Sequence, residues 1–283
     1  MSPGITMSPA RSRSPRAARL VSLLKMHGTH NTFVLVDERA PRFADFAGLA
    51  RVLCAADGPM DGADGILVLH DAPDASVAMR IFNADGSEAE MCGNGIRCIV
   101  RYLFERGEGE MFAIVTGAGR IEAAVTTRSP FAATVDMGAV HFPNGTQEEA
   151  LDVLGATWRM YEVSVGNPHA LAFVDDLDAV DLPTLGLALQ THRRFPSGTN
   201  LHLAAPLDAR TLRVRHYERG VGLTQACGTG AVAAAAAAIA ARGFGSPLDV
   251  RVPGGILQIT WQRGGHAKLT GGAELLFERE VAV

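Results

Sequence analysis

The chain has 283 residues, 47% of them hydrophobic and 20% charged, with a formal net charge of -4. That is apolar material for one large domain or two ordinary ones, and it excludes a disordered chain. The negative balance offers no general attraction to nucleic acid or to acidic membranes. No apolar run approaches the roughly 18 residues that a membrane span needs. A soluble, cytoplasmic protein acting on a small molecule is therefore expected. Cys54, Cys92, Cys98 and Cys227 are too few and too scattered for a disulfide scaffold, and they contain no CxxC pair of the kind that builds structural zinc sites.

Residues 1–24 are rich in Ser, Pro and Arg and are expected to form a disordered extension, Pro3, Pro9 and Pro15 opposing a targeting helix. Along the chain, residues 21–26 read as a first strand, 27–29 as a turn and 32–36 as a second strand. Residues 43–54 carry apolar positions at helical spacing, with Gly58-Pro59 beyond them. Strands follow at 66–70 and 77–82, then a turn at Asn83-Ala-Asp-Gly-Ser87. After Cys92-Gly-Asn-Gly95 a helix is predicted over 96–106, closed by Gly107. Strands at 112–116, 120–126 and 133–137 complete the first half.

The second half repeats this plan. Strands are predicted at 161–165, 169–174, 200–204 and 211–217. Cys227-Gly-Thr-Gly230 and a helix over 231–241 follow, then strands at 250–252, 256–261 and 266–269. The expected fold class is α/β (α+β): two similar lobes of mixed, largely antiparallel sheet, each wrapped around a central helix, with the active site in the cleft between them. The boundaries expected are 25–137 for the N-terminal lobe, completed by 272–283, and 138–271 for the C-terminal lobe.

The two C-G-x-G segments carry the chemistry. Each sets a cysteine at a helix N-terminus, where the dipole and the free first-turn N–H groups favour a thiolate and are expected to lower the thiol pKa. The glycines leave backbone donors open to a carboxylate. Two such thiols facing each other across one carboxylate suit inversion of an α-carbon, one removing a proton and the other delivering one to the opposite face. Nothing in this reaction needs a metal or a pyridoxal lysine, so no cofactor and no metal are expected. Cys54 and Cys98 read as small buried hydrophobes.

In this light the chain from Lys25 onward resembles the diaminopimelate epimerase family. The matching segments are Lys25-Met-His-Gly with Asn31, Phe82-Asn-Ala-Asp-Gly-Ser with Glu88, Met91-Cys-Gly-Asn-Gly with Arg97-Cys98, Gly166-Asn-Pro-His169, Asn200, and Tyr217-Glu-Arg-Gly with Thr224-Gln-Ala-Cys-Gly-Thr-Gly230. The resemblance implies that Cys92 and Cys227 are the acid–base pair and that Gly93, Asn94, Gly228 and Thr229 hold the reacting carboxylate. It further implies that Asn31, Asn83, Asn167, Asn200, Glu218 and Arg219 hold the amino groups and the distal carboxylate, with His169 orienting Glu218 or the substrate amine. The activity implied is interconversion of LL- and meso-diaminopimelate. A two-cysteine racemase for another amino acid such as histidine is the alternative within the fold. A phenazine-biosynthesis-like isomerase lacks the cysteine pair. Neither nucleic acid nor membrane is expected as a partner, and a homodimer is the expected assembly. Two departures stand out: His30 replaces a glycine beside Asn31, and Gly65 stands where some members carry glutamine.

Overall fold

The computed structural model describes residues 20–282. The first half runs β1 (Leu20–Gly28), β2 (Asn31–Asp37), α1 (Phe46–Leu53), β3 (Gly65–His70), β4 (Val77–Asn83), β5 (Glu88–Ala89), α2 (Gly93–Glu105), β6 (Met111–Thr116), β7 (Gly119–Arg128) and β8 (Phe131–Ala139). The second runs β9 (Glu149–Val153), β10 (Ala156–Ser164), β11 (Pro168–Phe173), α3 (Leu182–Gln190), β12 (Asn200–Asp208), β13 (Thr211–Glu218), β14 (Gly222–Thr224), α4 (Gly228–Arg242), β15 (Leu248–Val252), β16 (Gly255–Thr260) and β17 (His266–Gly272). The chain then returns to the first lobe as β18 (Glu274–Ala282), antiparallel to β1.

The pairings of the two halves correspond strand for strand. β18 flanks β1 as β9 flanks β10. The parallel pairs β2–β3 and β4–β6 match β11–β12 and β13–β15. Each parallel pair is joined through one helix, α1, α2, α3 or α4, because a parallel connection must cross back over the sheet. The other pairings are antiparallel, and β8 joins β17 antiparallel to unite the lobes. The fold is the expected one, with a repeat more regular than the sequence pattern alone suggested.

Strand alternation places α1 outside and α2 inside the first sheet. Phe33 and Leu35 face the core that holds α2, whereas Val34 and Val36 face Ala50 and Leu53 of α1. With both faces covered, these strands read as continuous apolar runs. In the second lobe α3 plays the part of α1, setting Leu182, Leu185 and Leu189 against Leu201 and Leu203. Inside it lies α4, whose residues from Ala231 to Ala238 are all fully buried. Alanine both favours the helix and lets the sheet close tightly around it. Gly243, at φ 73°, ends α4 in the left-handed conformation that glycine adopts without steric penalty.

Several elements go beyond the sequence reading. The extension expected over 1–24 lies partly outside the described residues; residues 20–24 belong to β1, where Val21 and Leu23 are buried. Helices α2 and α4 begin three residues earlier than predicted, because the glycines after each cysteine are themselves the first helical turn. The helix expected from 43 begins at Phe46, after Asp45 accepts a hydrogen bond from Gly48 N. Elements β5, β9, β14, β18 and α3 had no prediction of their own. In α3 the leucines at 182, 185, 187 and 189 blur helical and strand periods.

Overpacking the central helix tests this arrangement. Ala235→Leu is expected to destabilise the protein by about 1–3 kcal/mol or more in urea denaturation. Met111→Ala, at a side chain 84% exposed, is expected to change stability by less than about 0.5 kcal/mol.

Candidate active site

The two C-G-x-G segments form equivalent corners. Cys92 is the N-cap of α2 (φ -146°, ψ 113°), and Cys227 is the N-cap of α4 (φ -117°, ψ 111°). Both turns close against Met137 on β8. A Cβ on Gly93 would lie 3.2 Å from the Met137 sulfur, and one on Gly228 would lie 3.9 Å from its Cε. Asn94, from the first turn of α2, donates to the carbonyl of Ala226 at 3.2 Å, just before Cys227. The two helix N-termini therefore meet at one place, between the lobes.

Around Cys92, the Asn31 side-chain oxygen lies 3.8 Å from the sulfur and accepts from Asn94 Nδ2 at 3.3 Å. Asn31 is itself held by Asp64, through Nδ2 at 2.9 Å. Arg97, fully buried one turn into α2, donates to Thr29 Oγ1 at 2.6 Å, to Asn94 Oδ1 at 3.1 Å and to the carbonyls of Gly93 and Gly272 at 3.3 and 3.1 Å. Burial draws its pKa down to about 10, which leaves it a cation at neutral pH.

Around Cys227, the sulfur accepts from Gly230 N at 3.3 Å and lies 3.6 Å from Thr229 Oγ1. Glu218, at the end of β13, accepts from Thr224 Oγ1 at 2.6 Å. Burial pushes its carboxyl upward despite that hydrogen bond. Arg219 is exposed, donates from Nη1 to Ser197 O at 3.0 Å, and donates its backbone N–H to Asn200 Oδ1 at 3.0 Å. Asn200 in turn donates to Pro168 O at 2.9 Å. Asn83 closes its own turn, donating to Ser87 Oγ at 2.9 Å.

Two expectations are corrected here. Both thiols are pushed up rather than down, Cys227 well above its ordinary value. Burial is the main cause for each. The Glu218 carboxylate repels charge on both sulfurs, and the first-turn N–H groups offset only part of this. A thiol at an exposed helix end would move the other way. His169 does not address Glu218 or the cleft directly. Its two ring nitrogens are engaged by Asn167 Oδ1 and His202 Nε2, each at 2.8 Å. Sequence reasoning also assigned no role to Arg97, Asp64, Met137, His202 or His216.

Two lobes of one topology are thus joined where two cysteine-capped helix N-termini meet. Among solved structures, a phenazine biosynthesis protein of the PhzF family from Bacillus anthracis superposes with a TM-score of 0.73 at 16% identity, covering 94% of this chain and 100% of that one. A probable proline racemase from Agrobacterium radiobacter superposes with a TM-score of 0.72 at 18% identity, covering 94% and 93%. These likenesses establish the fold. The family model for diaminopimelate epimerase matches residues 23–143 and 161–276. The diaminopimelate epimerase of Pelotomaculum thermopropionicum is 40% identical over 272 residues, covering 90% of this chain and 97% of the relative. That of Moorella thermoacetica is 41% identical over 272 residues, covering 90% and 96%. The chain belongs to the diaminopimelate epimerase family.

The raised Cys227 pKa has a consequence for stability. Above the ordinary thiol range the unfolded chain releases this proton while the folded chain keeps it, so the unfolded state binds fewer protons and stability falls as pH rises. Reduced wild type is expected to lose up to about 1.4 kcal/mol more per pH unit than Cys227→Ala, once the pH exceeds about 9. Urea denaturation between pH 7 and 10.5 checks this, and parallel curves for the two proteins would contradict it.

Proposed function

We propose that this chain interconverts LL- and meso-2,6-diaminopimelate without a cofactor, using Cys92 and Cys227 on opposite faces of the reacting α-carbon. The observation that carries this reading is the meeting of two cysteine-capped helix N-termini across Met137. The α-carboxylate would sit between them, taking hydrogen bonds from the first-turn N–H groups of Gly93, Asn94, Gly228 and Thr229. Charge that builds on it as the α-proton leaves is stabilised by donors already oriented. Buried Arg97 adds a fixed positive charge behind that cradle.

The protons balance simply. A thiolate on one side takes the α-proton, and the thiol on the other side delivers its own proton to the opposite face. The pair then returns with thiol and thiolate exchanged. One thiol must first lose a proton, and Glu218, beside Cys227 and with its carboxyl pushed up, can hold it. At the far end of the substrate, Arg219 with Asn83, Asn167 and Asn200 suits a second carboxylate; beside the thiols, Glu218 and Asn31 can accept from an ammonium group.

Among the described residues no helix is long and apolar enough to cross a membrane. The net charge of -4 offers no general attraction to nucleic acid or acidic membrane surfaces, which supports an enzyme acting on a small molecule.

Exchange of the α-proton in D2O tests the reading. Reduced wild type is expected to exchange and invert LL-diaminopimelate, and Cys92→Ala and Cys227→Ala each to lose inversion by about 10²–10⁴-fold or more. Turnover of L-histidine in place of diaminopimelate would move the chain to another branch of the fold, and inversion surviving in both variants would overturn the two-thiol mechanism. In a separate prediction, Arg219→Gln raises KM for diaminopimelate by about 10-fold or more, the loss of one charged hydrogen-bonded contact. An unchanged KM would remove Arg219 from the site.

A further inference from the structure

Three histidines lie in contact behind the Asn167 end of the cleft. His169 on β11, His202 on β12 and His216 on β13 are all essentially inaccessible to solvent. Strand register sets His202 directly opposite His216. His202 Nδ1 lies 2.8 Å from His216 Nδ1, and His202 Nε2 lies 2.8 Å from His169 Nδ1. His169 Nε2 meets the Asn167 side-chain oxygen at 2.8 Å. The chain of contacts thus runs from the protein interior to a half-buried asparagine of the substrate site. It is also packed beneath the Cys227 corner: a Cβ on Gly230 would come within 2.3 Å of the His202 ring.

We propose that His202 and His216 are positioning residues, whose relay of hydrogen bonds through His169 fixes the Asn167 carboxamide with its oxygen turned inward and its NH2 presented to the cleft as a donor. The proposal rests on the functional reading above, in which this end of the site receives the distal carboxylate.

The polarity follows from proton counting. A neutral imidazole carries one N–H and one lone pair, and burial keeps all three rings neutral, His169 and His216 being drawn down to about 3 and His202 well below its ordinary value. A line of three neutral rings can place one proton in each of its contacts in only two ways. In the first, His216 Nδ1–H donates to His202 Nδ1, His202 Nε2–H donates to His169 Nδ1, and His169 Nε2–H donates to Asn167 Oδ1. The second reverses every bond and turns the Asn167 oxygen to the cleft. The inner end decides between them. His216 Nε2 is buried and has no hydrogen-bond partner among the described residues. In the first arrangement that atom is a bare lone pair; in the second it is a bare N–H. Unpaired buried N–H groups are the rarer and more costly of the two. The first polarity also matches its neighbours, since Arg219 and the second Asn200 amide hydrogen are donors at the same end.

The test begins with the whole reduced protein, uniformly labelled in its histidines with nitrogen-15 and without substrate. Long-range nitrogen–proton correlation spectra near pH 7.5 are expected to show His169 and His202 as Nε2–H tautomers and His216 as the Nδ1–H tautomer. The reversed set, or a charged ring in the line, would overturn the proposal. This readout is independent of turnover, so failure of wild type to invert diaminopimelate would sink the functional reading and leave the relay to be judged on its spectrum. With active enzyme, His202→Leu is expected to raise KM for diaminopimelate about 10-fold while kcat stays within about threefold. His202→Gln, whose amide N–H can still reach His169 Nδ1, is expected to restore KM to within about threefold of wild type. A Leu variant with unchanged KM, or a Gln variant no better than Leu, would overturn it. Should the Leu variant fail to fold by circular dichroism, the wild-type spectrum and the Gln variant decide.

Discussion

The structure turns on two helix N-termini that converge inside protein rather than at its surface. The first N–H groups of a helix have no partner within it, and a buried helix start needs those donors satisfied from elsewhere. Here the capping residues are thiols, of which Cys227 accepts from Gly230 N. Thiol sulfur is a weak acceptor. Two sets of donors are left aimed at one small volume, and an anion between them satisfies both sets at once. Burial denies the thiols an easy charge of their own, so the negative charge the corner favours is left for a bound group to supply.

The duplicated sheet is what brings these helix ends together. Each lobe threads its helix through the crossover between two parallel strands, β4–β6 in one and β13–β15 in the other, and the lobes join at β8–β17 with Met137 beside the seam. The repeat is topological and not electrostatic. Behind Cys92 lies the Arg97 cation, which favours its thiolate, though by less than burial and the Glu218 carboxylate disfavour it. Beside Cys227 lies the Glu218 carboxylate, which disfavours it. Two corners of one geometry thus hold thiols of unequal acidity, which suits a pair that must begin its cycle with one proton fewer than two.

Much of this was legible in sequence because it is local. A cysteine followed by glycines and an apolar helical run states a helix start, and its recurrence after a second similar set of strands states the duplication. The thiol pKa direction was not legible, since the helix contribution is encoded locally while desolvation comes from strands far away in the chain. For the same reason His202 and His216 gave no signal: a histidine inside a strand, His202 between two leucines and His216 between Arg215 and Tyr217, reads as one more strand residue until register places it opposite another. Helix α3 could have been found. Asp181 capping Thr184 N, and buried leucines at 182, 185 and 189, are ordinary helix signals, masked by the additional exposed leucine at 187.

His30, where the family commonly carries glycine, raised the question of whether the loop before Asn31 is displaced. Thr29 and His30 form the two-residue tip of the β1–β2 hairpin, with φ of 55° and 59°, a turn that asks for positive φ at both positions. Histidine tolerates that conformation better than most residues, at a cost of about 1–2 kcal/mol. The position of the tip is set by its neighbours. Thr29 is tied to Arg97 and Asn31 to Asp64, and Gly254 of the other lobe packs against the Thr29 carbonyl, where a Cβ would come within 2.1 Å. The His30 ring is exposed and stacks on His27 at 5.0 Å. With His30 at the tip, Asn31 stands 3.8 Å from the Cys92 sulfur, and the ties on either side of residue 30 hold the loop while His30 bears the local strain.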